Sequence, residues 1–265
     1  MAIKPKVEKM VQNTVGVITL ARREILRFFS VATQTIFPPI ISSTLFICIF
    51  GLALGKKIDL GDMNMSYLSF IIPGLMTMHL ITSSYENTCS SLFIARWHNH
   101  IQEMLLSPLS YFEMVLGLLA GGVARGCVVV LGVFMISLVF EPIPIMHPFL
   151  TIYFVMAIST IFSCLGMMAA LWAEDFNMLS MWNTYFILPS VFLGGVFHPV
   201  SILPKFFQYF TAFNPMYYLV NGMRFSITGI SDAPILLCSG FAFVAATASF
   251  FFTVHLFRIG YKLRT

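Results

Sequence analysis

The run "YFEMVLGLLAGGVARGCVVVLGVFMISLVF", Tyr111–Phe140, decides which solvent this chain is built for. It carries an acid only near its start, Glu113, and a single base, Arg125, in otherwise apolar sequence. About 20 residues, each rising about 1.5 Å, cross a hydrocarbon layer about 30 Å thick, so the run is more than long enough to span a bilayer as one helix. Gly117, Gly121, Gly122 and Gly126 recur along it at four- and five-residue steps. Small residues at that spacing let a neighbouring helix backbone approach closely.

The rest of the chain shares this character. Of 265 residues, 58% are hydrophobic and 10% charged, and the mean hydropathy is +0.87. A soluble domain carries about a quarter of its residues as Asp, Glu, Lys and Arg, so composition alone makes this a membrane protein. Cys48, Cys89, Cys127, Cys164 and Cys238 lie in or beside apolar runs, and an odd number so scattered argues against a disulfide framework. His98 and His100, the closest histidine pair, would point to different sides of a helix, which argues against a metal there. No metal or cofactor is expected in the chain. The first residues lack the basic, apolar and small-residue order of a cleavable signal, so the first span is expected to act as the targeting signal and remain.

Beside 111–140, apolar runs cover about 33–54, 66–88, 149–172, 181–197 and 235–257. The expected fold is therefore an all-α membrane protein with six transmembrane helices. Ahead of them, "VGVITLARREILRFFS" sets Arg22, Arg23 and Arg27 against Val17, Ile18, Ala21, Ile25, Phe28 and Phe29. This predicts an amphipathic interface helix over about 13–31, its bases toward lipid headgroups. Six spans put both termini on one side. With that side inside, Lys4, Lys6, Lys9, Arg22, Arg23, Arg27, Arg96, Arg258, Lys262 and Arg264 are cytoplasmic, against Lys56, Lys57, Lys205 and Arg224 outside.

The stretch from Phe197 to Pro234 is too apolar for a loop bathed in water, and it predicts a re-entrant helical segment between spans five and six. Within it, Asn214 is placed to cap free N–H groups and Pro215 to occupy a first helical turn. Tyr209, Tyr217 and Tyr218 suit headgroup level, and Arg224 is expected to extend its charge back to the surface or to phosphate. Glu86, Arg125 and His79 are ionisable groups in or near spans, so each should face protein, snorkel or line a hydrated path. Glu86 and Arg125 are candidates for pairing, because consecutive helices are neighbours. The stretch "IARWHNHIQEMLLSPLS" is too polar to span and too patterned for a mere turn. Its Arg96, His98, His100, Gln102 and Glu103 form a charged rim around Ile101, Met104 and Leu105, which suits a docking groove.

"PPIISSTLFICIFGLALG", "FIIPGLM", "HNHIQEMLLSPLS", "GGVARG", "LGGVFHPVSILP" and "FNPMYYLVNGMRF" together resemble the ABC-2 type transport permeases, the inner-membrane export permeases of Gram-negative bacteria among them. The resemblance covers nearly the whole chain in order. It implies one transmembrane domain over residues 1–265 and a half-transporter. Two copies would pair with two copies of a separate ATP-binding cassette subunit that binds ATP and Mg. The chain has no "GxxxxGK[ST]" phosphate loop, so it is not itself the ATPase by that mechanism. The resemblance also implies that roughly Ala95–Ser107 is the coupling element, with Val17–Phe29 as a second contact. Membrane lipid is the remaining partner, and no nucleic acid is expected. Two rival readings are an ion-coupled secondary transporter, which needs repeated halves not found here, and a membrane anchor or assembly protein without transport. The substrate is left open among polysaccharides, lipid-linked molecules, drugs and other amphiphiles.

Overall fold

A computed structural model describes residues 4–54, 65–200 and 204–262. The loop holding Lys56 and Lys57, and Arg264 near the end, lie outside the described residues. The helices are α1 (Lys4–Ser30), α2 (Ala32–Thr35), α3 (Phe37–Phe46), α4 (Tyr67–Trp97), α5 (Ile101–Leu106), α6 (Tyr111–Phe140), α7 (Pro148–Trp172), α8 (Phe176–Trp182), α9 (Leu188–Leu193), α10 (Lys205–Phe213), α11 (Pro215–Thr228) and α12 (Ile235–Ile259). A π-helical stretch, Ile47–Leu54, continues α3, and a π turn, Asn183–Ile187, joins α8 to α9.

Local chemistry sets several of these boundaries. At the start of α6 the Ser110 hydroxyl accepts from the Glu113 N–H at 3.3 Å while Glu113 Oε2 accepts from the Ser110 N–H at 2.7 Å, a reciprocal cap. Ser66 accepts from the Ser69 N–H at 3.0 Å to open α4, and Asp175 accepts from the Met178 N–H at 2.8 Å to open α8. Both α11 and α12 end on glycines in the left-handed region, Gly229 at φ 77° and Gly260 at φ 70°.

The centre of the bundle is α4, packed between α6 and α7 with α11 across it. Leu75, Leu80, Ile81 and Leu92 of α4 have no exposed surface. Polar side chains are buried there as well, among them Thr77, Ser83, Ser84, Asn87 and Thr88. Close approach makes this possible: a Cβ on Gly166 of α7 would strike the Tyr85 carbonyl oxygen, and one on Gly121 of α6 would lie 2.5 Å from the Glu24 Cβ of α1.

The expectation of six spans is corrected. Among the described residues, four helices are long and apolar enough to cross a membrane: Ala32–Gly51, Tyr111–Phe140, Pro148–Trp172 and Ile235–Ile259. The segment taken as a second span is α4, whose Thr77, His79, Ser83, Ser84, Glu86, Asn87, Thr88 and Ser91 dilute its apolar content. The segment taken as a fifth span is divided into α8, the π turn and α9, each too short to cross.

Two further expectations are revised. The helix α1 packs along α6, and its inward stripe is Leu20, Glu24 and Phe28, while Ile18 and Phe29 are exposed. In the segment expected to be re-entrant, α11 is a buried element of the bundle: Leu219, Val220, Met223 and Ile227 pack inside it.

Candidate functional site

Three polar constellations interrupt the apolar bundle. The first lies where α4, α6 and the π turn meet. Arg125 Nη2 donates to Glu86 Oε2 at 3.1 Å, and Asn183 Nδ2 donates to Glu86 Oε1 at 3.3 Å. The Arg125 side chain is 7% exposed but that of Glu86 is 49% exposed, so the pair is buried from one side only. Two adjoining cavities of about 360 and 330 Å³ share Gln34, Glu86, Arg125 and Asn183. One continues past Cys89, Ser90 and Ser180, and the other past Ser42, His79 and Thr82. His79 Nε2 lies 3.4 Å from Ser42 Oγ. Arg125 Nε and Asn183 Oδ1, beside this groove, are buried without a hydrogen-bond partner. The π turn that carries Asn183 is an uncommon backbone form found often at functional sites.

The second constellation is at the end of the bundle that carries α5. Arg96 donates to the carbonyls of Ala170, Leu171 and Ala173, closing the C-terminus of α7, and burial lowers its pKa. Ile101 and Met104, expected at the centre of a docking face, are instead packed into the chain's own core, because α5 lies with those two side chains against the bundle. His98, His100, Gln102 and Glu103 face outward, Leu105 is half-buried, and His100 Nδ1 stands 3.6 Å from Glu103 Oε1. Beside α5, a cavity of about 450 Å³ is lined by Phe93, Arg96, Trp97, Ile101, Glu174 and Lys262. Lys262 Nζ lies 3.0 Å from Glu174 Oε1, which brings the end of the described chain to the same end of the bundle.

Of the α1 bases, Arg22 and Arg23 are exposed, while Arg27 turns inward and donates to Asn87 O at 2.8 Å and Asn87 Oδ1 at 3.1 Å. Sequence reasoning missed Glu24. Its side chain is 1% exposed and pairs with Arg23 at 2.9 Å and Arg27 at 3.3 Å, while Ser91 Oγ donates to it at 2.6 Å. The available signal was its place four residues from both Leu20 and Phe28, on the one stripe of α1 that faces α6.

The third constellation surrounds α11. Asn214 Oδ1 accepts from the Met216 N–H at 3.0 Å, with Pro215 in the first turn. Tyr217 and Tyr218 are half-buried in edge-to-face contact at 5.3 Å, and Tyr209 is exposed. Arg224 does not snorkel. It has no exposed surface, sits 3.8 Å over the Phe70 ring, and donates to Gly195 O, Asn221 Oδ1 and Phe70 O. Those acceptors come from three separate stretches of chain, so Arg224 staples the turn after α9 to α4 and α11.

Among the described residues no group of His, Cys, Asp or Glu could hold a metal ion. Comparison with known proteins gives a consistent answer. The profile of the ABC-2 type transporter family matches residues 16–228. The chain is 36% identical to "Inner membrane transport permease YadH" of Escherichia coli (strain K12), over 92% of this chain and 94% of that protein. It is 26% identical to "Nodulation protein J" of Rhizobium leguminosarum bv. viciae, over 80% and 83% of the two chains. The corresponding protein of Rhizobium meliloti (strain 1021) is 22% identical over 91% and 92%.

Proposed function

This chain belongs to the ABC-2 type transporter family as a non-catalytic membrane permease subunit, and from that premise we propose that two copies enclose an export path whose polar wall is the Glu86–Arg125–Asn183 groove. Permeases of this family generally pair with a cognate ATPase subunit. Here two copies of a separate cassette subunit bind ATP and Mg and act on the α5 end of the bundle. Residues 1–265 work as one transmembrane domain.

One observation carries the reading. Glu86 is half-exposed, yet it sits beside a buried guanidinium in a groove between the apolar α3 and the π turn. A charge left facing hydrocarbon is expensive. A second copy that covers the groove, with water retained inside, removes that cost and turns the groove into a path.

The same geometry supports an orientation. Arg22, Arg23, Arg96, Lys262 and the outward face of α5 lie toward one end, through the contacts of Arg23 with Met104 and of Lys262 with Glu174. Basic residues favour the cytoplasmic side, so both termini and α5 face the cytoplasm of a bacterial inner membrane. His98, His100, Gln102, Glu103 and Leu105, with Arg22 and Arg23, form the ATPase contact, while Arg96, Ile101, Met104 and Arg27 hold that contact in shape.

The test is export by the permease–ATPase complex in proteoliposomes. Glu86→Ala is expected to reduce ATP-driven efflux of the transported compound while the complex still assembles and hydrolyses ATP. Full-rate efflux with Glu86→Ala and Arg125→Ala combined would remove the groove from the path.

A further inference from the structure

A connected set of contacts runs from α5 to the groove. Arg23 Nη2 of α1 reaches Met104 Sδ of α5 at 3.7 Å and Glu24 at 2.9 Å. Glu24 in turn holds Arg27 and receives Ser91 Oγ of α4, and Arg27 spans to Asn87 of α4. Asn87 follows Glu86 in sequence. On α6, Gly121 faces both Glu24 and Asn87 and precedes Arg125 by about one turn. Three elements, α1, α4 and α6, therefore meet at the Glu24 side chain, and Arg23 links it to α5.

An apolar side chain in place of Glu24 would bury α1 against α6 equally well, but apolar contacts permit sliding. A buried carboxylate is tolerated only when its donors are in place, and in a low-dielectric surround those bonds are directional. Buried ionic groups of this kind do little for net stability, and their best-attested use is to fix register. Donors on α1 and α4 converge on Glu24, so α1 cannot shift against α4 without breaking them.

We propose that Glu24 is a positioning residue that locks α1 and α5 to α4, so that displacement imposed at α5 arrives at the Glu86–Arg125 pair instead of being absorbed by slippage. The proposal rests on the reading that a cassette ATPase acts at α5. The complex is placed in lipid nanodiscs with Cys89, which lines the groove, as its only cysteine, and maleimide labelling of Cys89 is timed with and without ATP. A companion complex, otherwise free of cysteine, carries Gln102→Cys on the outward face of α5 and reports ATPase contact as protection from the same reagent.

In the parent complex ATP changes the Cys89 labelling rate. Glu24→Gln, close in size but uncharged, is expected to cut that change by about tenfold, within the span of ordinary coupling between sites. Position 102 stays protected and ATP hydrolysis continues. Glu24→Asp keeps part of the response, which loss of folding would not allow. Should Glu24→Gln fail to assemble, Ser91→Ala, which removes one donor, is expected to give a smaller loss in the same direction. An undiminished Cys89 response in Glu24→Gln and Ser91→Ala, with position 102 protected, overturns the proposal, as does a Cys89 rate indifferent to ATP in the parent. An unprotected position 102 in the parent instead removes the docking reading and the proposal with it.

Discussion

A guanidinium with no exposed surface persists in an apolar bundle only if its donors and its ring face are all answered. At Arg224 they are: Gly195 O, Asn221 Oδ1 and Phe70 O accept, and the Phe70 ring lies beneath. Arg224→Leu leaves buried acceptors without partners, and it is expected to destabilise the chain by about 3 kcal/mol, read as a lowered thermal midpoint in detergent. Arg224→Lys does not restore it, because a point charge replaces a planar fork. An unchanged midpoint in Arg224→Leu would contradict the stapling role. Glu86 and Arg125 differ in kind, since their groove is open. Single truncation of either leaves the other uncompensated, so a double-mutant cycle on export is expected to give a coupling of about 1–2 kcal/mol, and additive losses would contradict the pairing.

At the scale of elements, α5 divides its residues between two duties. Ile101 and Met104 are core, so Ile101→Ala is expected to cost about 2–4 kcal/mol of stability. Gln102 and Glu103 face outward, so Gln102→Ala with Glu103→Ala is expected to leave thermal stability unchanged while lowering ATP-driven export. Equal loss of stability from both changes would contradict the division. Such divisions mark the boundary of what was legible in the sequence. Local apolar content made the all-helical membrane class readable from Tyr111–Phe140, and the charges of Glu86 and Arg125 stood out against their surroundings. That the two were candidates for pairing was readable from their place on neighbouring helices, but the depth at which they meet was not, because it depends on how closely α4 and α6 pack, here through Gly122 and Gly126. Glu24 was hidden by its arginine neighbours in "ARREIL", and the fate of Arg224 by an aromatic contact with a residue far away in sequence. The π turn at Asn183–Ile187 carries no composition signal that separates it from an ordinary span.

For the molecule as a whole, the buried polar load of α4 explains why reading its apolar residues as a span overstated the number of crossing helices. Its hydroxyl, amide and imidazole groups lie inside protein, and the half-open groove between α3 and the π turn is the place where that shelter is incomplete. The proposed path between two copies would complete it. The most direct measurement is the environment of a spin label at Ser42, which lines the groove, in the dimer reconstituted in lipid, with a label at the exposed Phe243 of α12 as the lipid-facing control. The account predicts that Ser42 is open to a water-soluble paramagnetic nickel chelate and shielded from oxygen dissolved in the bilayer. A label at Ser42 that meets oxygen and excludes the chelate, as at Phe243, would contradict it.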